Sequence, residues 1–188
     1  TREYEAGVLP DRGDAQVVRA KWKQRLYKTG EGIARVSLAR GSGDDPGTQT
    51  TDEAFFPSRG HRHNGLERSG FGEFFAATPY DAFGGNYSSS TTSGLRQGSS
   101  GIMVMGFGYT PPAYRGVILD VDFFLFQGER IRSGASRTLG TEWDLRLRYA
   151  VQDLFNIALT SAFFTSGESS VAVRTHARKY ALEVFGRF

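Results

Sequence analysis

The sequence predicts an all-β protein, an antiparallel up-and-down transmembrane β-barrel with about ten strands in this chain, which form either the whole barrel or part of a larger one. Three observations predict this fold. Apolar and polar residues alternate over segments as long as a tilted membrane strand, short and long connections alternate along the chain, and the C-terminus carries apolar side chains at every second position.

The alternation defines the strands. It is clearest between residues 141 and 151, where Trp143, Leu145, Leu147 and Tyr149 fall on one face and charged residues fall on the other. A helix would scatter these side chains around its circumference, so the pattern predicts a strand. The same criterion predicts strands at 2–9, 14–28, 31–41, 68–77, 82–91, 96–110, 115–127, 139–151, 154–166 and 172–188.

Aromatic residues near the strand ends favour a membrane over water. Tyr109, Trp143, Tyr149, Phe155 and Phe163 lie where outer-membrane barrels place an interfacial girdle. A soluble β-sandwich would also show alternation, because its polar face meets water. Burial of the apolar face of 141–151 under a second sheet would support that alternative.

The connections between the predicted strands are asymmetric. The turns at 29–30, 78–81, 111–114 and 152–153 are short, whereas the connections at 42–67, 128–138 and 167–171 are longer or rich in Gly, Ser and charged residues. In an antiparallel chain the short turns fall on one side of the sheet and the long loops on the other, as in outer-membrane barrels. Residues 1–188 are therefore expected to form one barrel domain, with 42–67 as a long extracellular loop.

Composition and motifs exclude several kinds of site. The chain of 188 residues contains no cysteine, which excludes disulfides and thiolate metal sites. No apolar run reaches the length of about 18 residues that a transmembrane helix needs. His61 and His63 lack a third metal ligand, and no Ser–His spacing suggests a catalytic triad. We therefore expect no enzyme, no metal and no cofactor. Nucleic acid is also not expected as a partner, because the aromatic residues face away from the basic ones.

If the apolar faces meet lipid, the polar faces line a lumen. The neighbouring acidic residues in the same strand favour structural pairing for Arg146 and Arg148, whereas the basic ladder 19–25 has no acidic partner in its own strand. For the ladder, pore lining and structural pairing both remain open. The predicted pore-lining residues are Arg19, Lys21, Lys23, Arg25, Arg35, Asp120, Asp122, Glu142, Asp144, Arg146 and Arg148.

The C-terminal residues form an amphipathic strand that ends on an aromatic side chain. Tyr180, Leu182, Val184 and Phe188 share one face. This pattern resembles the assembly signal of bacterial outer-membrane proteins. The resemblance implies the bacterial outer membrane as the location, its lipid as the surrounding solvent and the barrel-assembly machinery as a partner.

Several stretches resemble the C-terminal portion of the alginate-export family of bacterial outer-membrane β-barrel porins. They are 39–46 (ARGSGDDP), 55–57 (FFP), 61–66 (HRHNGL), 106–112 (GFGYTPP), 139–145 (LGTEWDL) and 162–167 (AFFTSG). Members of that family are usually longer, so the resemblance implies the C-terminal part of a wider barrel or a shortened relative.

The resemblance implies passive passage of solutes, with anionic saccharides or organic anions as the expected class. Guanidinium groups bind carboxylates through two parallel hydrogen bonds, which suits a basic lumen to such solutes. The alternative is a non-conducting structural barrel that acts as a membrane anchor or as a sheath for a periplasmic or membrane protein. About ten strands alone would enclose little more than packed side chains.

Overall fold

The computed structural model describes residues 13–26, 30–43, 45, 51, 71–73, 100–131, 133–134, 136–151, 154–168 and 176–186. These residues are all-β, and their seven strands form one sheet in which each strand pairs with its neighbours in the chain. Every pairing is antiparallel. The strands are β1 (Ala15–Leu26), β2 (Gly30–Gly41), β3 (Ser100–Thr110), β4 (Val117–Arg130), β5 (Thr138–Val151), β6 (Phe155–Ser166) and β7 (His176–Gly186).

The up-and-down topology and these seven strands confirm that part of the prediction. The predicted strands at 2–9 and 82–91 lie outside the described residues. Of the predicted strand at 68–77, the structure describes Phe71, Gly72 and Glu73, and there the prediction is wrong, because the chain bends after Phe71 and Gly72 has a positive φ of 82°. No helix among the described residues is long and apolar enough to cross a membrane.

Short and long connections alternate between the seven strands, as predicted for 111–114, 128–138, 152–153 and 167–171, whereas the predicted turn at 78–81 lies outside the described residues. The strands are joined at one end of the sheet by 27–29, 111–116 and 152–154, and at the other end by 42–99, 131–137 and 167–175. The turn before β4 is a two-residue hairpin, in which Tyr114 and Val117 exchange backbone hydrogen bonds of 3.0 and 2.9 Å. Its central residues, Arg115 and Gly116, both have positive φ, which matches the twist of the flanking strands.

The sheet has two chemically different faces. One face, called the outer face here, carries exposed apolar side chains from every strand. The other, the core face, carries the buried cluster and nearly all of the charged residues of the strands. Because the pairing is in register, a row of side chains on one face continues across the sheet: Trp22, Ala34, Tyr109, Val121, Leu145, Ser161 and Tyr180 form one outer row.

The core face is packed at the end where the long connections lie. Its buried cluster consists of Ala39, Phe71, Ile102, Val104, Phe126, Leu139 and Phe164. A bulge brings Leu139 into this cluster: Phe126 pairs with Gly140 and Gln127 with Thr138, so Leu139 is the extra residue of β5. Strand alternation alone would have placed Leu139 on the outer face.

Phe71, Gly72 and Glu73, which we call the inner segment, lie against the core face. The ring of Phe71 is 6.4 Å from that of Phe124, and the backbone N–H of Glu73 donates to Asp144 Oδ2 at 2.9 Å. The same segment reaches both edge strands. It contacts Arg19 of β1 and Lys179 of β7. A flat sheet of seven strands would separate its edges by about 29 Å, so these contacts indicate that the sheet curls around the inner segment.

The apolar side chains buried on the core face should contribute more to the free energy of unfolding than the exposed ones of the outer face. Phe126 is 0% exposed, so Phe126→Ala leaves a cavity that its neighbours fill only in part, and we expect a loss of about 3–5 kcal/mol in the free energy of unfolding. Phe107→Ala is the matched control, because Phe107 is an exposed aromatic residue of the outer face. Guanidinium unfolding in phospholipid vesicles would measure both. Equal losses would contradict this assignment of the faces.

Candidate functional site: a cavity with cationic walls

The described residues line an open cavity of about 380 Å³ on the core face, between β1, β2, β3 and β4. Its walls combine cations, a carboxylate and two aromatic rings. The side chains that matter for its chemistry are Arg19, Lys21, Arg35, Ser37, Phe71, Asp122 and Phe124.

The cavity exists because β3 has no side chain at two positions of its core face. A Cβ on Gly106 would collide with Ser37 Oγ and come within 2.9 Å of the Phe124 ring. A Cβ on Gly108 would collide with Asp122 Oδ1 and lie 2.8 Å from Arg35 Nε. The two glycines therefore let side chains of β2 and β4 meet over β3, and they form the floor of the site.

The wall on β2 and β4 is an ion-pair network centred on Arg35. Its guanidinium binds Asp122 through Nη2, at 3.0 Å from Oδ1 and 3.2 Å from Oδ2, and donates from Nη1 to Thr110 Oγ1. Asp120 Oδ1 lies 3.6 Å from Arg35 Nη1 and accepts a hydrogen bond from Thr110. Arg35 is thus neutralised by carboxylates of β4, and its planar group is held in place.

The wall on β1 differs, because its cations are not neutralised by the described carboxylates. Arg19 and Lys21 line the cavity and are exposed, and among the residues that the structure describes neither forms an ion pair. The Arg19 guanidinium lies 5.0 Å from the centre of the Phe71 ring, within range of a cation–π interaction. Lys23 and Arg25 continue the ladder on the same face and are also exposed.

The inner segment separates this cavity from the acidic residues of β5. Glu142 and Asp144 are buried on the core face, at 0% and 6% exposure. A Cβ on Gly72, which has a positive φ, would lie 2.6 Å from Glu142 Oε2, so only glycine fits this approach. The segment is anchored by Lys179, whose Nζ donates to the carbonyl oxygen of Glu73 at 2.6 Å.

The arginines of β5 pair across strands rather than within their own. We expected carboxylates of β5 near Arg146 and Arg148 to be their partners. Instead Arg148 Nη2 lies 2.7 Å from Asp120 Oδ2 on β4, and Arg146 Nη2 lies 3.3 Å from Glu183 Oε2 on β7. For Arg148 the cause is geometric: residues two apart in a strand are almost 7 Å apart on one face, whereas neighbouring strands are less than 5 Å apart. Arg146 reaches across β6, which carries the small residues Ala158 and Thr160 at these positions.

All the predicted pore-lining residues lie on the core face, but they form three groups. The exposed ladder comprises Arg19, Lys21, Lys23 and Arg25; the paired groups comprise Arg35, Asp120, Asp122, Arg146 and Arg148; the buried carboxyls are Glu142 and Asp144.

Sequence reasoning missed the residues that give the cavity its shape. Phe71 belonged to a predicted strand, and nothing local indicates that it lies inside the sheet. The two glycines of β3 did carry a signal. Gly106 and Gly108 occupy successive positions of the polar face, where glycine weakens a strand unless other groups need the space.

Comparisons with known proteins give no family for this chain. No protein-family model matches it, and no curated protein does. Within the described ranges, His, Asp and Glu side chains do not form a group of three or more that could hold a metal ion.

The glycine floor can be tested by a double-mutant cycle. Gly108→Ala should displace the Asp122–Arg35 pair and lower the free energy of unfolding by about 1–3 kcal/mol, the usual cost of overpacking. Asp122→Ala removes the obstructing carboxylate, so the double variant should lose less than the sum of the two single losses. Guanidinium unfolding in phospholipid vesicles measures all three. Additive losses would show that the collision is absent.

Proposed function

We propose that this chain is part or all of a bacterial outer-membrane β-barrel that lets anionic solutes pass through a lumen formed by the core face. One observation carries the proposal: a cavity with two cations unpaired by described carboxylates lies on the face opposite an exposed apolar surface. Organic anions and anionic saccharides suit these walls, since Arg19 and Lys21 can bind carboxylates.

The outer face supports a membrane location. Trp143, Leu147 and Leu182 are 52%, 42% and 69% exposed, and no second sheet covers them within the part of the chain that the structure describes. On β4 the apolar row from Val117 to Leu125 is about 27 Å long along the strand, close to the apolar band of outer-membrane barrels. Exposure of this face argues against a soluble sandwich, in which it would be buried.

Barrel closure is part of the proposal. β1 and β7 are not paired with each other in the described sheet. Unpaired strand edges are too costly in lipid, so further strands must complete the ring. Tyr180, Leu182 and Val184 lie on the outer face of β7. We expect the barrel-assembly machinery to bind them there before the barrel closes. Phe188, the fourth residue of that signal, lies outside the described residues.

A structural barrel is the second candidate function. Phe124 and Phe126 stack at 6.1 Å, Phe126 and Phe164 lie 6.4 Å apart, and this packing fills one end of the core face. A small barrel filled in this way would conduct nothing and would serve as an anchor or as a sheath for a partner protein.

A charge on the outer face distinguishes lipid from water. Leu147→Arg should lower the free energy of unfolding in phospholipid vesicles by about 2–4 kcal/mol, because the guanidinium would face hydrocarbon near mid-strand. Gln127→Arg is the matched control near the strand end, where the expected cost is about 0–1 kcal/mol. If Leu147→Arg proved harmless and the protein stayed monomeric without detergent, the outer face would be a water-exposed surface.

Conductance tests the channel itself. The purified, detergent-refolded protein in planar bilayers should give stable steps that favour Cl⁻ over K⁺ at asymmetric salt, because cations lining a narrow lumen attract anions. Arg19→Ala/Lys21→Ala should lower the permeability ratio toward unity, while Lys23 and Arg25 retain part of the preference. The matched control is Arg178→Ala, which removes a cation from the outer face and should leave the ratio unchanged.

Two results would contradict the channel. Folded protein that resists heat in detergent and conducts nothing would establish the structural barrel instead. If the conductance steps had the same ion preference in the wild type and in Arg19→Ala/Lys21→Ala, these two cations would not lie along the conduction path.

A further inference from the structure

The inner segment is the one described part of the cavity wall that is not a strand. Phe71 is 3% exposed and lines the cavity, whereas the other walls belong to β1, β2, β3 and β4. A wall made by three residues that cross the inside of the sheet occupies lumen volume that strands alone would leave free.

Contacts to four strands hold the segment in this position. The Phe71 ring packs edge-on against Phe124 of β4 at 6.4 Å and lies under Arg19 of β1. The Glu73 backbone N–H donates to Asp144 of β5. At the other edge of the sheet, Lys179 Nζ of β7 lies 2.6 Å from the Glu73 carbonyl oxygen and 3.6 Å from its Oε2.

The close fit of Gly72 shows that the segment lies directly on the sheet at β5. Its Cβ position is 2.6 Å from Glu142 Oε2, so no side chain fits between segment and strand. The free space next to the segment therefore lies on the Phe71 side, in the pocket that Phe71 shares with Lys21 and the glycines of β3. Phe71 faces the same cavity as Arg19, Lys21 and Ser37.

We infer that the inner segment sets the size limit of the lumen, with Phe71 as the constricting side chain and Lys179 as its anchor. This inference rests on the proposed function and deepens it. The accepted solute is an anion small enough to pass beside the contact between Phe71 and Arg19, with its carboxylate bound at Arg19 and Lys21.

Thiol labelling tests the constriction without requiring conductance. The chain has no cysteine, so Ser37→Cys introduces a single thiol, and that thiol faces the cavity. In the refolded protein, N-ethylmaleimide serves as the small probe and fluorescein maleimide as the bulky one. The ratio of their rate constants measures the opening. Phe71→Ala in this background should raise the relative rate of the bulky probe several-fold, and Lys179→Ala should raise it by releasing the anchor.

The matched control is Phe163→Ala, which removes the same ring from the outer face and should leave the ratio unchanged. An unchanged ratio in folded Phe71→Ala and Lys179→Ala, or an equal rise in Phe163→Ala, overturns the inference. If Phe71→Ala fails to fold, as judged by heat-modifiable gel mobility, the Lys179→Ala result decides. A raised ratio in a protein that shows no wild-type conductance would overturn the proposed channel and leave the constriction in place.

Discussion

The alternation of side chains along each strand is the constraint on which the rest of this structure depends. Because successive residues point to opposite faces, the pairing register aligns the outer-face residues of neighbouring strands into mostly apolar rows, such as Leu119, Leu147, Leu159 and Leu182. A slip of one residue in any pair would turn charged side chains outward and apolar ones inward along a whole strand. The same register places nearly all of the charged strand residues on the core face, so the composition of both faces has one cause.

Two local departures from this regular pattern shape the core face. The bulge in β5 turns Leu139 inward and helps to seal the end of the sheet where Phe126 and Phe164 pack. On β3, Gly106 and Gly108 remove side chains in the middle of the same face, and the space is shared between a cavity and the Arg35–Asp122 pair. Packing is therefore dense at one end and open toward β1.

The sequence predicted the parts of the fold that depend on local pattern. Period-two alternation located all seven described strands, and the order of short and long connections followed from their spacing. The same alternation also assigned residues such as Arg35 and Asp122 to the same face of the sheet. Local pattern could not give the partner of Arg148, since Asp120 is nearer across the strands than any carboxylate of β5. It could not place Phe71 either, because a residue that folds back inside a sheet does so through contacts distant in sequence, here with Arg19 and Phe124.

The distribution of charge on the core face separates structural ions from those available to a solute. On β2 and β5 each described arginine of the core face has a carboxylate from another strand, and such cross-strand pairs neutralise one another. On β1 the ladder from Arg19 to Arg25 is exposed and meets no described carboxylate as an ion pair. The described cations of the core face that form no ion pair therefore lie on β1. On β1 an anion could therefore bind at the core face without breaking any of the described ion pairs.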